Sequence, residues 1–124
     1  MDRYILVAVF GAAGAATRYA VDGWVLGFTR GQFPWGILAI NLVGSFALGV
    51  LVELTASRLL TDPNWRIALG VGFLGSFTTF STFAYDSIRL AEDSAYALAF
   101  LNVAGTVVLG LLAAVAGLLV GRAL

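Results

Sequence analysis

The chain has 124 residues, of which 60% are hydrophobic and 11% charged, and its seven cationic and seven anionic side chains balance to a net charge of zero. A soluble domain of this length cannot bury so much apolar surface, so the composition indicates a membrane protein. The neutral balance argues against nucleic acid as a partner. The absence of cysteine and histidine excludes disulfides, thiol catalysis and the common zinc sites.

Four apolar segments, separated by polar turns, are each long enough to cross the hydrocarbon core of a bilayer, which takes about 20 helical residues. They run over about residues 4–28, 35–54, 66–88 and 96–120. Aromatic side chains stand near the ends, as in an aromatic belt: Tyr4, Trp24, Trp35, Trp65, Tyr85 and Tyr96. The sequence therefore predicts an all-α membrane protein with one domain, residues 1–124, and four transmembrane helices in each subunit.

The arginines are divided almost evenly between the two sides of the membrane. An even number of spans puts both termini on one side, with Arg3, Arg58, Arg66 and Arg122, while Arg30 and Arg89 lie on the other. The small excess favours cytoplasmic termini, but a bias this weak lets copies insert in both orientations. Because four short helices also enclose too little volume for a pore, the sequence predicts a dimer, and an antiparallel one.

The first span is too long and too poorly flanked for a cleaved signal peptide. Its Arg18 is the only cation deep in a span, and Asp22 follows one helical turn later. Residues four apart on a helix can pair. Two interpretations stay open, a neutralised pair near the membrane interface and a vestibule in which Arg18 attracts anions.

The second span carries Asn41, followed by Gly44, Ser45 and Gly49. A carboxamide without a partner is costly in hydrocarbon. Asn41 therefore either donates a hydrogen bond to an anion or ties two helices together. The small residues after it indicate close helix packing, as does the pattern of Gly117 and Gly121 in the fourth span.

The third span contains an unusual run of glycine, hydroxyl and phenylalanine residues, GVGFLGSFTTFSTFAYD at positions 70–86. A helix of this composition unwinds easily, and unwound backbone at membrane depth is tolerated only within protein or beside a polar cavity. Broken helices of this kind supply ion sites near the midplane of transporters. The run therefore predicts a third helix that is broken near its middle and acts as a selectivity element.

Within that run, Phe80 and Phe83 are three residues apart and share a helix face. One interpretation is ordinary packing against lipid or core. The alternative uses the positive edges of the two rings. Together with hydroxyl donors, these edges can replace part of the water shell of a small anion without any fixed positive charge.

The fourth span places Asn102 and Thr106 on one face, which continues into Gly110 and Ala114 without a polar group. The two polar residues either begin a polar track or form hydrogen bonds between helices. No enzyme signature accompanies them: there is no nucleophile with a base, no metal-ligand cluster and no phosphate loop. Catalysis is therefore not expected.

Three motifs give the chain a resemblance to the Fluc (CrcB) family of fluoride channels along essentially its whole length. They are GAAGAATRY at 11–19, INLVGSFALG at 40–49 and, the most specific, GFLGSFTTFSTF at 72–83. The resemblance implies a passive channel that exports cytoplasmic fluoride through the plasma (inner) membrane. It also implies an antiparallel, dual-topology homodimer with two fluoride pathways, in which the third helix of each subunit is broken.

The resemblance also implies roles for individual residues. Asn41 matches the pore asparagine of the family, and Phe80 and Phe83 match the two phenylalanines whose ring edges meet fluoride. Gly75 and Thr78 match the positions whose backbone carbonyls hold a central structural Na⁺ at the dimer interface. The remaining matches are the hydroxyl residues after the break, Ser81 and Thr82, and the arginine of the first helix, Arg18.

The chain departs from the family pattern at two places. Asp86 stands where many members have glutamate, and Gly110 and Ala114 replace part of a serine and threonine run in the fourth helix. Either Asn102 and Thr106 suffice as the donors of that helix, or water fills the gap, or the chain is one subunit of a heterodimeric channel.

Two other function classes stay open at this point. A small four-helix proton-coupled drug exporter needs a carboxylate in the membrane, and Asp22 is the only acid in the first span. A non-transporting membrane assembly factor would use the small-residue packing faces and predicts no ion flux.

Overall fold

The structure, a computed structural model, describes residues 2–124. Over this range it consists of helices and connecting turns, without a β-strand. The elements are α1 (Arg3–Leu26), α2 (Trp35–Ala56), α3 (Pro63–Trp65), a π-helical segment (Arg66–Leu74), α4 (Gly75–Phe77), α5 (Phe80–Glu92) and α6 (Tyr96–Ala123). Within the described range, four helical stretches are long and apolar enough to cross a membrane: Arg3–Leu26, Trp35–Ala56, Pro63–Glu92 and Tyr96–Ala123. The predicted all-α class with four membrane-length helices is confirmed. Below, the stretch Pro63–Glu92 is called the third span.

Short polar residues set the helix boundaries that the apolar pattern leaves open. The Asp2 carboxylate accepts a hydrogen bond from the Tyr4 N–H at 2.9 Å, which caps α1. The Asp62 carboxylate does the same for the Asn64 N–H at 2.9 Å, with Pro63 in the first turn, where a missing N–H costs nothing. Gly31, with φ of 95°, allows the chain to turn back between α1 and α2.

Helices α2 and α6 run parallel and are in close contact at three glycines, Gly49, Gly117 and Gly121, called the glycine seam below. A Cβ on Gly49 would meet the backbone of Ala114, Gly117 and Leu118, and a Cβ on Gly121 would meet Glu53. Beyond the seam, the Arg122 Nε donates to the Glu53 carboxylate at 2.9 Å. The predicted close packing through these small residues is confirmed, because only glycine lets the two backbones approach this far.

Helix α1 packs against the first half of the third span, again through glycine. A Cβ on Gly14 would overlap the backbone of Phe73, and a Cβ on Gly72 would meet Phe10. Since backbone lies on both sides of this contact, α1 holds the segment before Gly75 in a fixed position.

The buried apolar core is small and lies beside the middle of the third span. Ile37 and Ile40 of α2 pack there against Phe77 and Phe83. Most other large apolar side chains point outward, as expected where lipid is the solvent. The core therefore supports the segment in which the sequence predicts a break.

Candidate functional site

The third span loses helical geometry at two consecutive residues. Thr78 (φ −80°, ψ 156°) and Thr79 (φ −147°, ψ 120°) have extended backbones and separate α4 from α5. The nine residues Arg66–Leu74 before α4 are π-helical, a rare geometry that is frequent at functional sites. The interruption falls inside the hydroxyl-rich run, and it leaves backbone groups that need partners from elsewhere.

Asn41 supplies partners for Thr79. The Asn41 Nδ2 donates to the Thr79 carbonyl at 3.0 Å, and the Thr79 N–H donates to the Asn41 Oδ1 at 2.9 Å. In a continuous α-helix the same N–H would donate to the carbonyl of Gly75. The Asn41 carboxamide therefore takes the hydrogen bond that the Gly75 carbonyl would otherwise accept. The second Nδ2 hydrogen of Asn41 stays available for another acceptor.

Thr79 also caps the helix that follows it. Its Oγ1 accepts a hydrogen bond from the Thr82 N–H at 3.3 Å and donates to the Thr82 Oγ1 at 3.1 Å, with the Ser81 Oγ 3.4 Å away. In an uninterrupted helix the Thr82 N–H would donate to the carbonyl of Thr78. Because the Thr82 N–H donates to the Thr79 Oγ1 instead, the Thr78 carbonyl loses the hydrogen bond that it would accept in a helix.

A cavity of about 270 Å³ lies beside the interruption. Its walls are Asn41, Ser45, Thr78, Thr79, Phe80, Phe83, Thr106 and Val107. The structure therefore brings together five of the residues that the resemblance and the fourth-span pattern single out: Asn41, Thr78, Phe80, Phe83 and Thr106. No ionisable side chain is among these lining residues of the described chain.

The two phenylalanines meet edge to face in this cavity. Their ring centroids are 5.7 Å apart with an interplanar angle of 61°. Phe83 is buried, whereas Phe80 is 78% exposed. Only one of the two rings is thus covered by its own chain, and the cavity stays open on the side of Phe80.

Thr106 lines the cavity, and its buried hydroxyl has no hydrogen-bond partner within the part of the chain that the structure describes. Among the buried side-chain oxygen and nitrogen atoms of residues 2–124, Thr106 Oγ1 is the one that forms no hydrogen bond. A buried hydroxyl without a partner costs free energy. A hydrogen-bonding ligand in the cavity, or water, removes this cost.

Asn102 lies behind the cavity and does not line it. It is only 2% exposed, and its Nδ2 donates to the Ser87 Oγ at 2.9 Å. The Ser87 hydroxyl in turn donates to the Phe83 carbonyl at 2.8 Å. This chain of hydrogen bonds connects α6 to the backbone of Phe83, so Asn102 acts on the site through another residue.

Two further cavities lie on the α1 side of α5. One, of about 360 Å³, is lined by Arg18, Asp22 and Thr82 among others, and the other, of about 260 Å³, by Asp22, Thr82, Asp86 and Arg89 among others. The two share Asp22, Ile37 and Thr82. Arg18 and Thr82 therefore line a charged cavity that is separate from the uncharged cavity beside Phe80.

The salt bridge between Arg18 and Asp22 that one interpretation of the sequence required is not formed. In the described chain, residues 2–124, the ion pair present joins Arg122 and Glu53. The Asp22 carboxylate instead lies against Gly36 near the start of α2, where a Cβ would overlap it. Unpaired N–H groups and the helix dipole favour a carboxylate at that position. Of the two interpretations that the sequence leaves open, the neutralised pair is therefore the one that the structure does not show.

Gly75 and Thr78 line a smaller cavity of about 140 Å³, together with Gly44, Ser45, Leu48, Gly70 and Leu74. The carbonyls of Gly75 and Thr78 have lost their helical hydrogen bonds, because the N–H groups of Thr79 and Thr82 donate to Asn41 and Thr79 instead. Carbonyl oxygens are suitable ligands for a hard monovalent cation. This donor set fits a sodium ion, for which one chain offers two oxygens. A Cβ on Gly44 would overlap the Thr78 Cγ2, so glycine at this position lets Thr78 sit where it does.

Ser45 is a site residue that the sequence interpretation missed. The run of small residues predicts close packing for it, yet it lines both the cavity beside Phe80 and the cavity beside Gly75. The signal that points to it is its spacing, because it lies one helical turn after Asn41 on the same face of α2.

Comparison with known proteins gives consistent matches over the whole chain. The model of the family described as CrcB-like protein, Camphor Resistance (CrcB), matches residues 5–118. Curated relatives from Geotalea uraniireducens and Geobacter sulfurreducens are each 41% identical over 124 residues, which is all of this chain and all of theirs. A relative from Pelobacter propionicus is 40% identical over all of this chain and 96% of its own length. All three are named fluoride-specific ion channel FluC, a name that describes a channel and not an enzyme.

Proposed function

The chain belongs to the CrcB-like family, and from this premise we propose that it is a passive, fluoride-selective channel. It crosses the cell (inner) membrane as a single four-helix domain and lets cytoplasmic fluoride leak out. External acid produces HF, which crosses membranes freely and dissociates in the more alkaline cytoplasm. An exit route for the ion then lowers the accumulated level, without any catalytic step.

The observation that carries this proposal is the chemistry of the cavity beside Phe80. Its walls combine ring edges, an amide and hydroxyls with no ionisable group, and the Thr106 Oγ1 there has no partner in the described chain. A small, hard anion that must shed water needs strong donors at short range. Weak positive ring edges let it pass without trapping it, as a full positive charge would.

Asn41 has two roles in this proposal. One Nδ2 hydrogen holds the Thr79 carbonyl, and the second is available to the anion. Phe80 and Phe83 present their edges, and Thr106 donates from the opposite helix. The hydroxyls of Ser81 and Thr82 belong to the entrance after the break, where Arg18 of the vestibule attracts anions. Asn102 serves the pathway through the backbone of Phe83.

We further propose that the third helix is broken within the membrane and that two copies form an antiparallel, dual-topology homodimer with two pathways. The exposure of Phe80 and the open side of its cavity support a second copy, because one chain alone does not enclose the path. A heterodimer is the alternative that the gap at Gly110 and Ala114 suggests.

A structural Na⁺ at the centre of that dimer would be held by the carbonyls of Gly75 and Thr78 from both copies. Both carbonyls have lost their helical donors to Asn41 and Thr79. When bound, the ion supplies positive charge that compensates these carbonyl dipoles. The residues of this chain orient the oxygens.

Fluoride efflux from liposomes that contain this protein alone tests the proposal. A fluoride electrode should record rapid release from fluoride-loaded vesicles, and chloride-loaded vesicles should stay silent. Equal release of both anions would contradict selectivity. No release from well-folded protein would contradict the homodimer, and recovery with a second chain would then establish a heterodimer. Proton-coupled uptake of a lipophilic cation would favour the exporter instead.

A further inference from the structure

Ser45 stands where two cavities adjoin. The cavity beside Phe80 and the smaller one beside Gly75 share two lining residues, Ser45 and Thr78. The Thr78 hydroxyl is occupied, because it donates to the carbonyl of Leu74 at 2.9 Å. The Ser45 hydroxyl is therefore the free side-chain donor at this junction.

The Ser45 hydroxyl does not donate to a carbonyl of its own helix, although serine and threonine hydroxyls within a helix often do so. Three hydroxyls within helices, and that of Thr78 directly after α4, donate to a carbonyl three or four residues earlier in the chain: Thr17, Thr55, Ser87 and Thr78. Within residues 2–124, Ser45 and Thr106 form no such bond, and neither do Ser76, Ser81 and Thr82; of these five, Ser45 and Thr106 line the cavity beside Phe80. Two hydroxyls that could bond to their own helix thus lack such a bond in the walls of one cavity.

The packing of α2 on α6 explains why a donor is needed at the level of Ser45. Gly49 lies against Gly117, and one turn later Glu53 lies against Gly121. Carrying this pairing one turn back places Ser45 at the level of Ala113. The face of α6 that begins with Thr106 continues at this level through Gly110 and Ala114, which have no polar group.

We propose that the Ser45 hydroxyl is a further donor to the permeating anion, and that it supplies from α2 the hydrogen bond that α6 lacks at Gly110 and Ala114. This inference rests on the proposed function and adds a residue to its pathway. The donor series then runs from Thr106 on α6 to Asn41 and Ser45 on α2. An anion that leaves the amide of Asn41 meets the hydroxyl of Ser45 one helical turn further.

The first test is the fluoride efflux of Ser45→Ala against the unchanged protein. Removing one neutral donor to a charged ligand should slow efflux by about tenfold or more. The matched control is Thr17→Val, since the Thr17 hydroxyl donates to the Ala13 carbonyl of its own helix at 2.7 Å. That variant should conduct like the unchanged protein.

The second test restores a hydroxyl from the opposite helix. A Cβ on Gly110 would meet nothing within 4 Å, so there is room for a serine side chain. The double variant S45A/G110S should recover most of the lost flux, whereas a purely structural defect would not be repaired in this way. Size-exclusion profiles and thermal unfolding identify any variant that fails to fold.

The outcomes separate this inference from the proposed function. Absence of fluoride flux through the unchanged protein overturns the function itself. If the unchanged protein conducts and Ser45→Ala conducts equally fast, only the donor role of Ser45 is overturned. A flux lost in Ser45→Ala and not recovered in S45A/G110S also overturns that role, because packing and not the hydroxyl would then be responsible.

Discussion

Asn41 and Thr79 are joined by a pair of hydrogen bonds, one from the Asn41 Nδ2 to the Thr79 carbonyl at 3.0 Å and one from the Thr79 N–H to the Asn41 Oδ1 at 2.9 Å. The carboxamide thereby does for one extended residue what a neighbouring β-strand does in a sheet. A membrane offers no water for this purpose, so the interruption of the third span depends on this side chain. Because the Thr79 N–H donates to Asn41, the Gly75 carbonyl does not accept the hydrogen bond that it would accept in a continuous helix.

Replacing Asn41 by aspartate should abolish fluoride flux and destabilise the protein by about 1–3 kcal/mol. The carboxylate keeps the acceptor for the Thr79 N–H but loses the donor to the Thr79 carbonyl, and its charge repels the anion. Efflux and denaturant unfolding measure the two effects. Full activity in this variant would rule out Asn41 as a donor to the anion.

Phe80→Ile and Phe83→Ile should both reduce fluoride flux, since isoleucine has no positive ring edge. Their stabilities should differ, because Phe83 is buried and Phe80 is 78% exposed. We expect a cost of about 1 kcal/mol or more for Phe83→Ile and little for Phe80→Ile in the isolated subunit. Phe100→Ile is the control, as Phe100 is 71% exposed and lies outside the cavity lining. Unchanged flux in both pathway variants would remove the role of the ring edges.

Asn102→Ala should cost about 1–3 kcal/mol, because it leaves the buried Ser87 hydroxyl without its donor. Flux should fall less than in Asn41→Asp, since Asn102 reaches the pathway only through Ser87 and the Phe83 carbonyl. A double-mutant cycle with Ser87→Ala measures the coupling between the two side chains. Additive free energies would show that the chain of hydrogen bonds does not act as a unit.

Gly44→Ala should weaken sodium-dependent association of two copies, because its Cβ would overlap the Thr78 side chain and displace the Thr78 carbonyl. The dimer fraction in Na⁺ against K⁺, measured by light scattering in detergent, checks this expectation without any flux assay. Gly105→Ala is the matched control, since a Cβ there would meet nothing within 4 Å. An unchanged response to Na⁺ in Gly44→Ala would argue against Thr78 as a ligand.

Arg18→Gln should lower fluoride flux more at low ionic strength than at high ionic strength. Arg18 lines a charged cavity and has no ion-pair partner in residues 2–124, and a charge in contact with solvent attracts ions over about 10 Å at 0.1 M salt and over about 30 Å at 0.01 M. Efflux at these two salt concentrations measures the effect. An equal reduction at both would indicate a contact with the ion and not long-range attraction.

Much of the fold could be predicted from local sequence properties. The number of membrane-length helices follows from apolar length alone, since a bilayer accepts any sufficiently long apolar helix. The close contacts of Gly49 and Gly121 followed equally, because small residues at helical spacing favour tight packing in lipid. The membership of the family followed from three short motifs, of which residues 72–83 are the most specific.

The roles of Arg18, Asn102 and Ser45 could not be decided from the sequence, for a different reason. Arg18 and Asp22 have the right spacing for a salt bridge, but the Asp22 carboxylate lies against Gly36 near the start of α2 instead. Asn102 has the polarity of a pathway residue, yet its amide is tied to Ser87 behind the cavity. Ser45 looked like a packing residue and lies at the junction of two cavities. In each case contacts between elements that are remote in sequence, and not the local pattern, decide where the side chain lies.

The sequence by itself determined that the chain is a membrane protein, how many helices cross the bilayer, and which run of residues is unlike an ordinary membrane helix. These are sums and patterns over neighbouring residues, which hydropathy and composition describe well. Only the tertiary structure decided which groups satisfy the polar atoms of that run. The Asn41–Thr79 pair spans 38 residues of chain, and in a medium without water each buried polar group must find such a partner wherever the packed helices offer one.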